Sequence, residues 1–478
     1  MLRRLLIAGW MAALLTVYAV AQQAGQIVGS VTDNKGAAVT NATVKALEVG
    51  TGFARNVVTD GDGRYVLPAL RPTQYEIIVE AGGFRSFRRA GVELLANQSL
   101  TINITLEVGV VTETVQVEGA AVQVDTSTST LKEVVDRARI AELPLNGRDA
   151  ARLTTLVAGT VIDTVSTETG KSIPGGLRLS SNGAQARQVA FKLDGVSNTD
   201  FYFQENQTFP FPDALQEFSI QTSNYSAAQG NNAGAVVNVV TRSGTNDLHG
   251  GAFEFARNRV FNARNFFAKE RDFLKRNQFG AFGGGPLSLP GYDGRNKTFF
   301  FLGWQGTRIR NRANDVSVFA PTTAQRNGDF SSLLRLPTPV FLKDPLLTGT
   351  CNATVQTACV RDPSRATHDN PMGLNLIPTS RFDQATLNVL KFIPAVGGTG
   401  QAVFARNIAQ ELDQGVAKID HQLGIKDRLS GRFFIDHFRN AAIFNDGNLL
   451  TYGGGSNQSR VRTQNTALSW TRTFSPAV

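Results

Sequence analysis

Apolar and polar residues alternate with a period of two along most of this chain, and the texture of that alternation changes twice. Between Ala24 and about Gly109, "SLTINITLEV" sets Leu100, Ile102, Ile104, Leu106 and Val108 on one face and Thr101, Asn103, Thr105 and Glu107 on the other. That is the pattern of a half-buried strand. "YEIIVEAGGF" repeats it with Tyr75, Ile77 and Val79. Turn sequences recur at "DNKG", "DGDG" and "AGG", a spacing that predicts a small β-sandwich. From Val111 to Gly244 the texture is mixed. "TETVQVEGAA" reads as a short extended segment, and "LKEVVDRARI" as a helix capped by Asp125 or Ser127 that stops before Pro144. An alternating strand closes at Asp194-Gly195, and Ala235 to Val240 is a run of small and β-branched residues that predicts a packed inner strand.

Beyond Asn246 the strands carry aromatics. "HGGAFEFARN" predicts Phe253 and Phe255 facing lipid, and in "KTFFFLGWQG" Phe300, Leu302 and Trp304 face one way. In "DRLSGRFFIDHFRN", Leu429, Gly431, Phe433 and Ile435 oppose Arg428, Ser430, Arg432 and Asp436, with Phe434 the one exception. "NTALSWTRTF" adds Leu468, Trp470 and Phe474. Apolar-out, polar-in alternation with aromatic ends marks an outer-membrane barrel wall. The residues from Asn311 to Gln410, rich in proline, then form mainly a long extracellular loop. The alternation yields about six strands, or roughly ten with the weak ones, against about 22 in a plugged transporter. An open sheet edge cannot face lipid, so the 478 residues are expected to be the front portion of a longer barrel chain.

The opening "MLRRLLIAGWMAALLTVYAVAQQ" has Arg3 and Arg4, an apolar run and Ala19-Val20-Ala21. It reads as a signal peptide over residues 1–21, with the mature chain beginning at Gln22. No later segment reaches the ~20 apolar residues of a spanning helix, which leaves a soluble exported protein or a β-barrel. Lys and Arg outnumber Asp and Glu by 48 to 39; a mild excess on an exported chain points away from nucleic acid. Export also predicts a local disulfide between Cys351 and Cys359. His249, His368, His421 and His437 have no metal-ligand spacing, and residues 24–110 contain no His, which excludes a zinc peptidase site there. Thr59 to Tyr65, "TDGDGRY", lacks the distal Glu of an EF-hand loop and reads as a hairpin turn. "GAFGGGP" has no following Lys-Ser/Thr, and no G-x-S-x-G occurs. No catalytic constellation and no cofactor site are expected.

"GQIVGSVTDNKGAAVTNATVKALEVGTG" and "TDGDGRYVLPALRPTQYEIIVEAGGFRS" resemble the carboxypeptidase regulatory-like domain. The resemblance implies a transthyretin-like, carbohydrate-binding-like sandwich over residues 24–109. "LPLNGR" at Leu143 to Arg148, "LDGV" at Leu193 to Val196, and Gln221 to Asn246 resemble the plug of TonB-dependent outer-membrane receptors of the Oar-like branch. Gln229 to Asn232 departs from that pattern. The resemblance implies a mainly β chain: the sandwich, a small α+β plug over 111–246, and the first part of a transmembrane antiparallel β-barrel over 247–478 with a long loop at 311–410. It singles out Asn146, Gly147, Arg148, Asp194 and Gly195 as plug-motif residues. Glu113, Thr114, Val115, Gln116 and Val117 resemble a TonB box, Gln116 departing from the family form; the alternative is an ordinary linker strand leaving the sandwich. The implied partner is a TonB-type periplasmic energy-coupling protein that grips this segment by strand addition. The implied function is a receptor in outer-membrane lipid that imports an extracellular ligand, an oligosaccharide or a peptide, with its N-terminal domain in the periplasm. A surface glycan-binding or adhesion protein anchored by the barrel, and a secreted β protein with no barrel, stay open.

Overall fold

The computed structural model describes residues 24–110, 114–117, 129–162, 176–201, 204–225, 229, 232–264, 266, 271–393, 395–396, 398–440 and 459–474. The expected signal peptide, Glu113, and the cap residues Asp125 and Ser127 lie outside the described residues.

The N-terminal unit is a two-sheet sandwich. Arg64–Leu70, Gly25–Asp33 and the pair Ser99–Thr101 and Ile104–Leu106 form one sheet, the last two running parallel to Gly25–Asp33. Ala54–Val58, Thr43–Glu48, Thr73–Glu80 and Ser86–Leu94 form the other. The inward faces are the alternating residues expected from the pattern, with Tyr75, Ile77, Val79, Leu100, Ile102, Ile104 and Leu106 all buried. The expected single strand ending at Val108 is instead broken at Ile102 and Asn103, and Val108 is exposed. Asn103 accounts for the break: its Oδ1 accepts from Ser30 N and Ser30 Oγ, each at 3.1 Å. The Thr59 to Tyr65 segment is a turn, Asp60 Oδ1 accepting from Asp62 N at 2.9 Å and Arg64 N at 2.8 Å. Thr114–Val117 extends the second sheet as a parallel edge strand beside Ser86–Arg89.

The plug is built on a five-stranded sheet in the order Leu131–Asp136, Leu215–Ser223, Val236–Thr241, Ala190–Leu193, Val196–Ser197. Val236–Thr241 is buried along its whole length, as its β-branched run predicts. The expected helix through "LKEVVDRARI" is a correction. Leu131–Asp136 is a strand antiparallel to Leu215–Ser223, and the helix is only Arg137–Glu142, capped by Asp136. Pairing with a strand some ninety residues away overrides the local 3.6-residue pattern, and Val134-Val135 favours it.

Six strands, His249–Asn258, Lys275–Pro286, Thr298–Phe319, Gln401–Gln422, Asp427–Asn440 and Ser459–Arg472, pair antiparallel in chain order and form the wall. Among the described residues the first and last of them do not pair with each other. Leu302, Trp304, Leu429, Phe433, Leu468 and Trp470 are exposed on the outer face, as expected, and Ile419 joins them. Phe253 and Phe255 are not on that face. Phe253 packs on the plug core with its ring 5.8 Å from Phe211, and the Arg148 guanidinium lies 3.9 Å over Phe255. Phe434, the exception in its strand, points inward and is fully buried beside Phe301 and Val416 in the same apolar core as the plug. The inner face is polar except where the plug presents an apolar surface to it.

The long loop also begins later than expected. The ladder continues through Asn311 paired with Ile408 to Phe319 paired with Gln401, so the connection proper is residues 320–400. Each of these two strands has 22 residues, roughly 70 Å, far more than the ~25 Å apolar band of a barrel. The connection is folded. Asn375, buried with φ 59°, donates to Val340 O at 2.8 Å and accepts from Leu342 N at 2.9 Å. Arg381 donates to Asp344 at 2.9 Å, and Cys351 and Cys359 are joined in a disulfide.

Gly29 offers a test of the sandwich. A Cβ there would fall 1.9 Å from Ile102 O, whereas one at Gly61 meets nothing within 4 Å. Gly29→Ala is expected to destabilise the sandwich by about 3 kcal/mol, the upper end of overpacking costs. Gly61→Ala is expected to be neutral. Amide exchange across Gly25–Asp33 in the full chain measures both.

Candidate functional site

The residues singled out in the plug form two anchors on opposite flanks of the wall. The first is Asn146–Arg148, a tight turn in which Gly147 has φ 75° and an added Cβ would crowd Arg276 at 3.0 Å. Asn146 Oδ1 accepts from Arg276 at 3.0 Å and Arg257 at 3.4 Å, and Gly147 O accepts from Gln278 Nε2 at 2.9 Å. Arg148 pairs with Asp213 inside the plug and covers the Phe253 and Phe255 rings. Desolvation pulls the Arg148 pKa below its ordinary value, and Asp213 opposes that. These contacts reach the first two wall strands.

The second anchor is Asp194-Gly195. Both residues have positive φ, 49° and 82°, and they join the antiparallel strands Ala190–Leu193 and Val196–Ser197. A two-residue hairpin with left-handed residues at both positions selects Asp-Gly. The turn delivers the carboxylate to the other flank. Asp194 Oδ2 accepts from Arg432 Nε at 3.0 Å, and Oδ1 lies 3.5 Å from Lys418 Nζ. Thr241 completes the shell, its N donating at 2.9 Å and its Oγ1 at 2.7 Å. Lys418 and Arg432 are direct register partners on adjacent strands, both inward and buried. Like charges so opposed repel, and Asp194 neutralises them. Burial alone would raise the Asp194 pKa; Lys418, Arg432 and the Thr241 hydrogen bonds outweigh it and hold it below the ordinary value. Arg432 also donates to Leu193 O at 3.0 Å and Asn465 O at 2.7 Å, and Asn465 Nδ2 donates to Ser197 O at 3.1 Å.

Sequence reasoning missed several members. The alternation places Arg432 only among the inward polar positions and does not single out Lys418, Asn465 or Arg242. Arg242 lies against the rings of Phe282 and Phe301, 4.8 and 5.3 Å from their centroids, and donates to Asp213 O at 3.2 Å. Desolvation lowers its pKa to about 10, the Arg137 charge adding to the effect and Asp213 opposing it. Two inward cations at matched register are the signal that could have been read.

A third cluster ties the sandwich to the wall. Arg71 lies 3.5 Å from both Glu48 and Asp420, and Arg428 lies 3.9 Å from Glu48 and 4.0 Å from Asp420. The four charges alternate in sign around a ring. Burial raises the Glu48 pKa, with Arg71 pulling against it. The sandwich sits at the end of the wall that carries the short turns: Asn246 N donates to Gly50 O at 2.8 Å, and Asn246 Nδ2 to Asn296 Oδ1 at 2.7 Å. Thr114–Val117 is on the sandwich, apart from both plug anchors, and Cys351 and Cys359 lie in the long connection at the opposite end. Among the described residues no group of three or more His, Cys, Asp or Glu is arranged to hold a metal.

The outer membrane beta barrel domain family matches residues 240–478, half of the chain. The chain belongs to that family. It therefore resides in the outer membrane, short turns and sandwich on the periplasmic side. The carboxypeptidase regulatory-like domain family matches residues 26–107 of this barrel-family chain. The TonB-dependent transporter Oar of Myxococcus xanthus is 27% identical over 299 residues, 59% of this chain and 26% of Oar. The chain thus spans about a quarter of the length of that relative. The ferric enterobactin receptor of Pseudomonas aeruginosa, in a mutant form, aligns with 71% of this chain and 37% of its own at 10% identity and TM-score 0.39. The outer membrane transporter YddB of Escherichia coli aligns with 72% and 37%, again at 10% identity and TM-score 0.39.

Asp194→Asn is expected to loosen the plug in the wall by about 3–5 kcal/mol, the cost of leaving buried charges uncompensated. The pH dependence follows from the sign of the shift. A depressed folded pKa gives stability that is complete above the unfolded aspartate value, about 3.9, and lost as pH falls through the folded value. Acidification should therefore expose the wild-type plug to pepsin more steeply than the Asp194→Asn variant, in which this part of the acid response is already absent.

Proposed function

We propose that this chain works as a TonB-dependent outer-membrane receptor that admits an extracellular ligand, an oligosaccharide or a peptide, past its plug toward the periplasm. The observation that carries the reading is the double anchoring of the plug: its two sequence motifs grip opposite flanks of one barrel-family wall. Such a plug needs work done on it to open a path. The Oar relative, named as a TonB-dependent transporter, supports the same reading. Residues 113–117 would be the segment gripped by a TonB-type periplasmic coupling protein. The strand form of Thr114–Val117, at the end of its sheet, suits strand addition, which extends a sheet edge through backbone hydrogen bonds. No catalytic residue takes part; the role of the chain is to bind and to gate.

The test is deletion of residues 113–117 from the full chain. The variant should reach the outer membrane at the wild-type level yet no longer bind the purified periplasmic domain of a TonB-type protein. Undiminished binding would overturn the assignment of this segment.

A further inference from the structure

The plug and the sandwich are attached to the wall in different ways. Plug and wall share one apolar core, in which Phe301, Val416 and Phe434 of the wall pack among plug residues. The sandwich core is drawn only from its own span, Ile27 to Leu106. Sandwich contacts with the rest of the chain include Asn246 N donating to Gly50 O at 2.8 Å, Ala96 N donating to Glu217 Oε2 at 2.9 Å, and the four-charge ring. A cavity of about 170 Å³ runs along this seam, lined by Glu48, Arg71, Asp420 and Arg428 among others. A seam of hydrogen bonds and ion pairs around a void, lined also by Phe53 and Pro72, holds less firmly than a shared core.

The composition of the ring decides what separation leaves behind. The sandwich contributes Glu48 and Arg71, 3.5 Å apart, and the wall contributes Asp420 and Arg428, 4.0 Å apart. Each half keeps one acid and one base when the two part, and all four groups regain water, whose loss is what makes a buried ion pair weak. The plug anchor has the opposite character. Withdrawing Asp194 leaves Lys418 facing Arg432 across the ladder with their shared counter-charge gone.

We propose that the sandwich is a detachable stopper on the periplasmic mouth, which undocks as a unit through a clasp that is charge-balanced on each side while the plug stays seated. Thr114–Val117 is paired with the sandwich edge. On the coupling reading given above, and resting on it, a pull at that segment reaches the sandwich before the plug.

The release order is measured by amide exchange on the full chain in detergent, with no coupling protein present. Asn246 and Ala96, bonded across the seam, should exchange at least ~10-fold faster than Thr241, whose N–H is held by Asp194, because sub-global openings precede loss of the core. The lock is Gly50→Cys with Thr245→Cys. A Cβ built on Gly50 lies 3.6 Å from Thr245 Cβ, within the ~3.5–4.5 Å of a disulfide. Oxidation should slow Asn246 and Ala96 to the Thr241 rate, and reduction should restore them, with Gly50→Cys alone unaffected by either. A single shared rate for Asn246, Ala96 and Thr241 in the wild-type chain would overturn the proposal, as would a formed lock that leaves the first two rates unchanged. Failure of the coupling reading would show separately, as absent TonB-type binding with these rates intact.

Discussion

Two cations facing each other across adjacent strands set the terms for the rest of the structure. Lys418 and Arg432 are register partners turned toward the lumen, an arrangement that weakens a sheet on its own. The wall is therefore incomplete as an electrostatic object without the plug. Asp194 meets the need only because the backbone at Asp194-Gly195 doubles back with two left-handed residues, and that geometry is also what selects Asp and Gly there. One dipeptide thus serves as turn former and counter-ion. Replacing Asp194 with Asn, itself a good turn former, separates the two roles, since the turn survives and the charge does not.

Much of this was legible in the chain, and the failures share one cause. The sandwich alternation, the Asp194-Gly195 turn, the inner strand Val236–Thr241 and the outward row from Leu302 to Trp470 follow from local pattern, because each is decided by which face meets water, lipid or core. Leu131–Asp136 reads as helix from local pattern because its partner, Leu215–Ser223, is distant in sequence. The same pattern sends Phe253 and Phe255 to lipid because aromatic residues on a wall strand ordinarily face that way. Here the lumen side is also apolar at one place, where Phe211 and the Arg148 guanidinium meet those rings. Phe434 is the same effect read from the other side: it breaks the alternation because the plug core, rather than water, is its neighbour. Period-two patterning identifies two faces and does not say which medium each one meets.

The sandwich and the plug illustrate two ways of attaching one folded unit to another. The apolar core shared by plug and wall cannot be divided without exposing Phe301 and Phe434, both fully buried. The sandwich closes its own core and meets the seam with Glu48 and Arg71 beside the apolar Phe53 and Pro72. Buried ion pairs contribute little net adhesion once desolvation is counted, and their best-attested use is to fix register. The alternating ring of Glu48, Arg71, Asp420 and Arg428 suits that use: it specifies where the sandwich sits more than how tightly.

The plug also reaches each of the six wall strands among the described residues. Phe253 packs on its core and Arg257 donates to Asn146 from the first strand, while Arg276 and Gln278 approach from the second. Phe301 and Gly303 meet it on the third, Val416 and Lys418 on the fourth, Arg432 and Phe434 on the fifth, and Asn465 on the sixth. These contacts join residues far apart in sequence, such as Leu193 and Arg432, and the loop closure they require makes such pairings intrinsically slow to form. Full ejection of the plug would strip counter-charge from the fourth and fifth strands and apolar cover from the third and fifth at once. A local shift at the Asn146–Arg148 flank breaks hydrogen bonds to exposed Arg257, half-buried Arg276 and buried Gln278 but keeps the Asp194 neutralisation. Opening on the Asn146 flank therefore leaves the buried pair Lys418 and Arg432 neutralised, which opening at Asp194 does not.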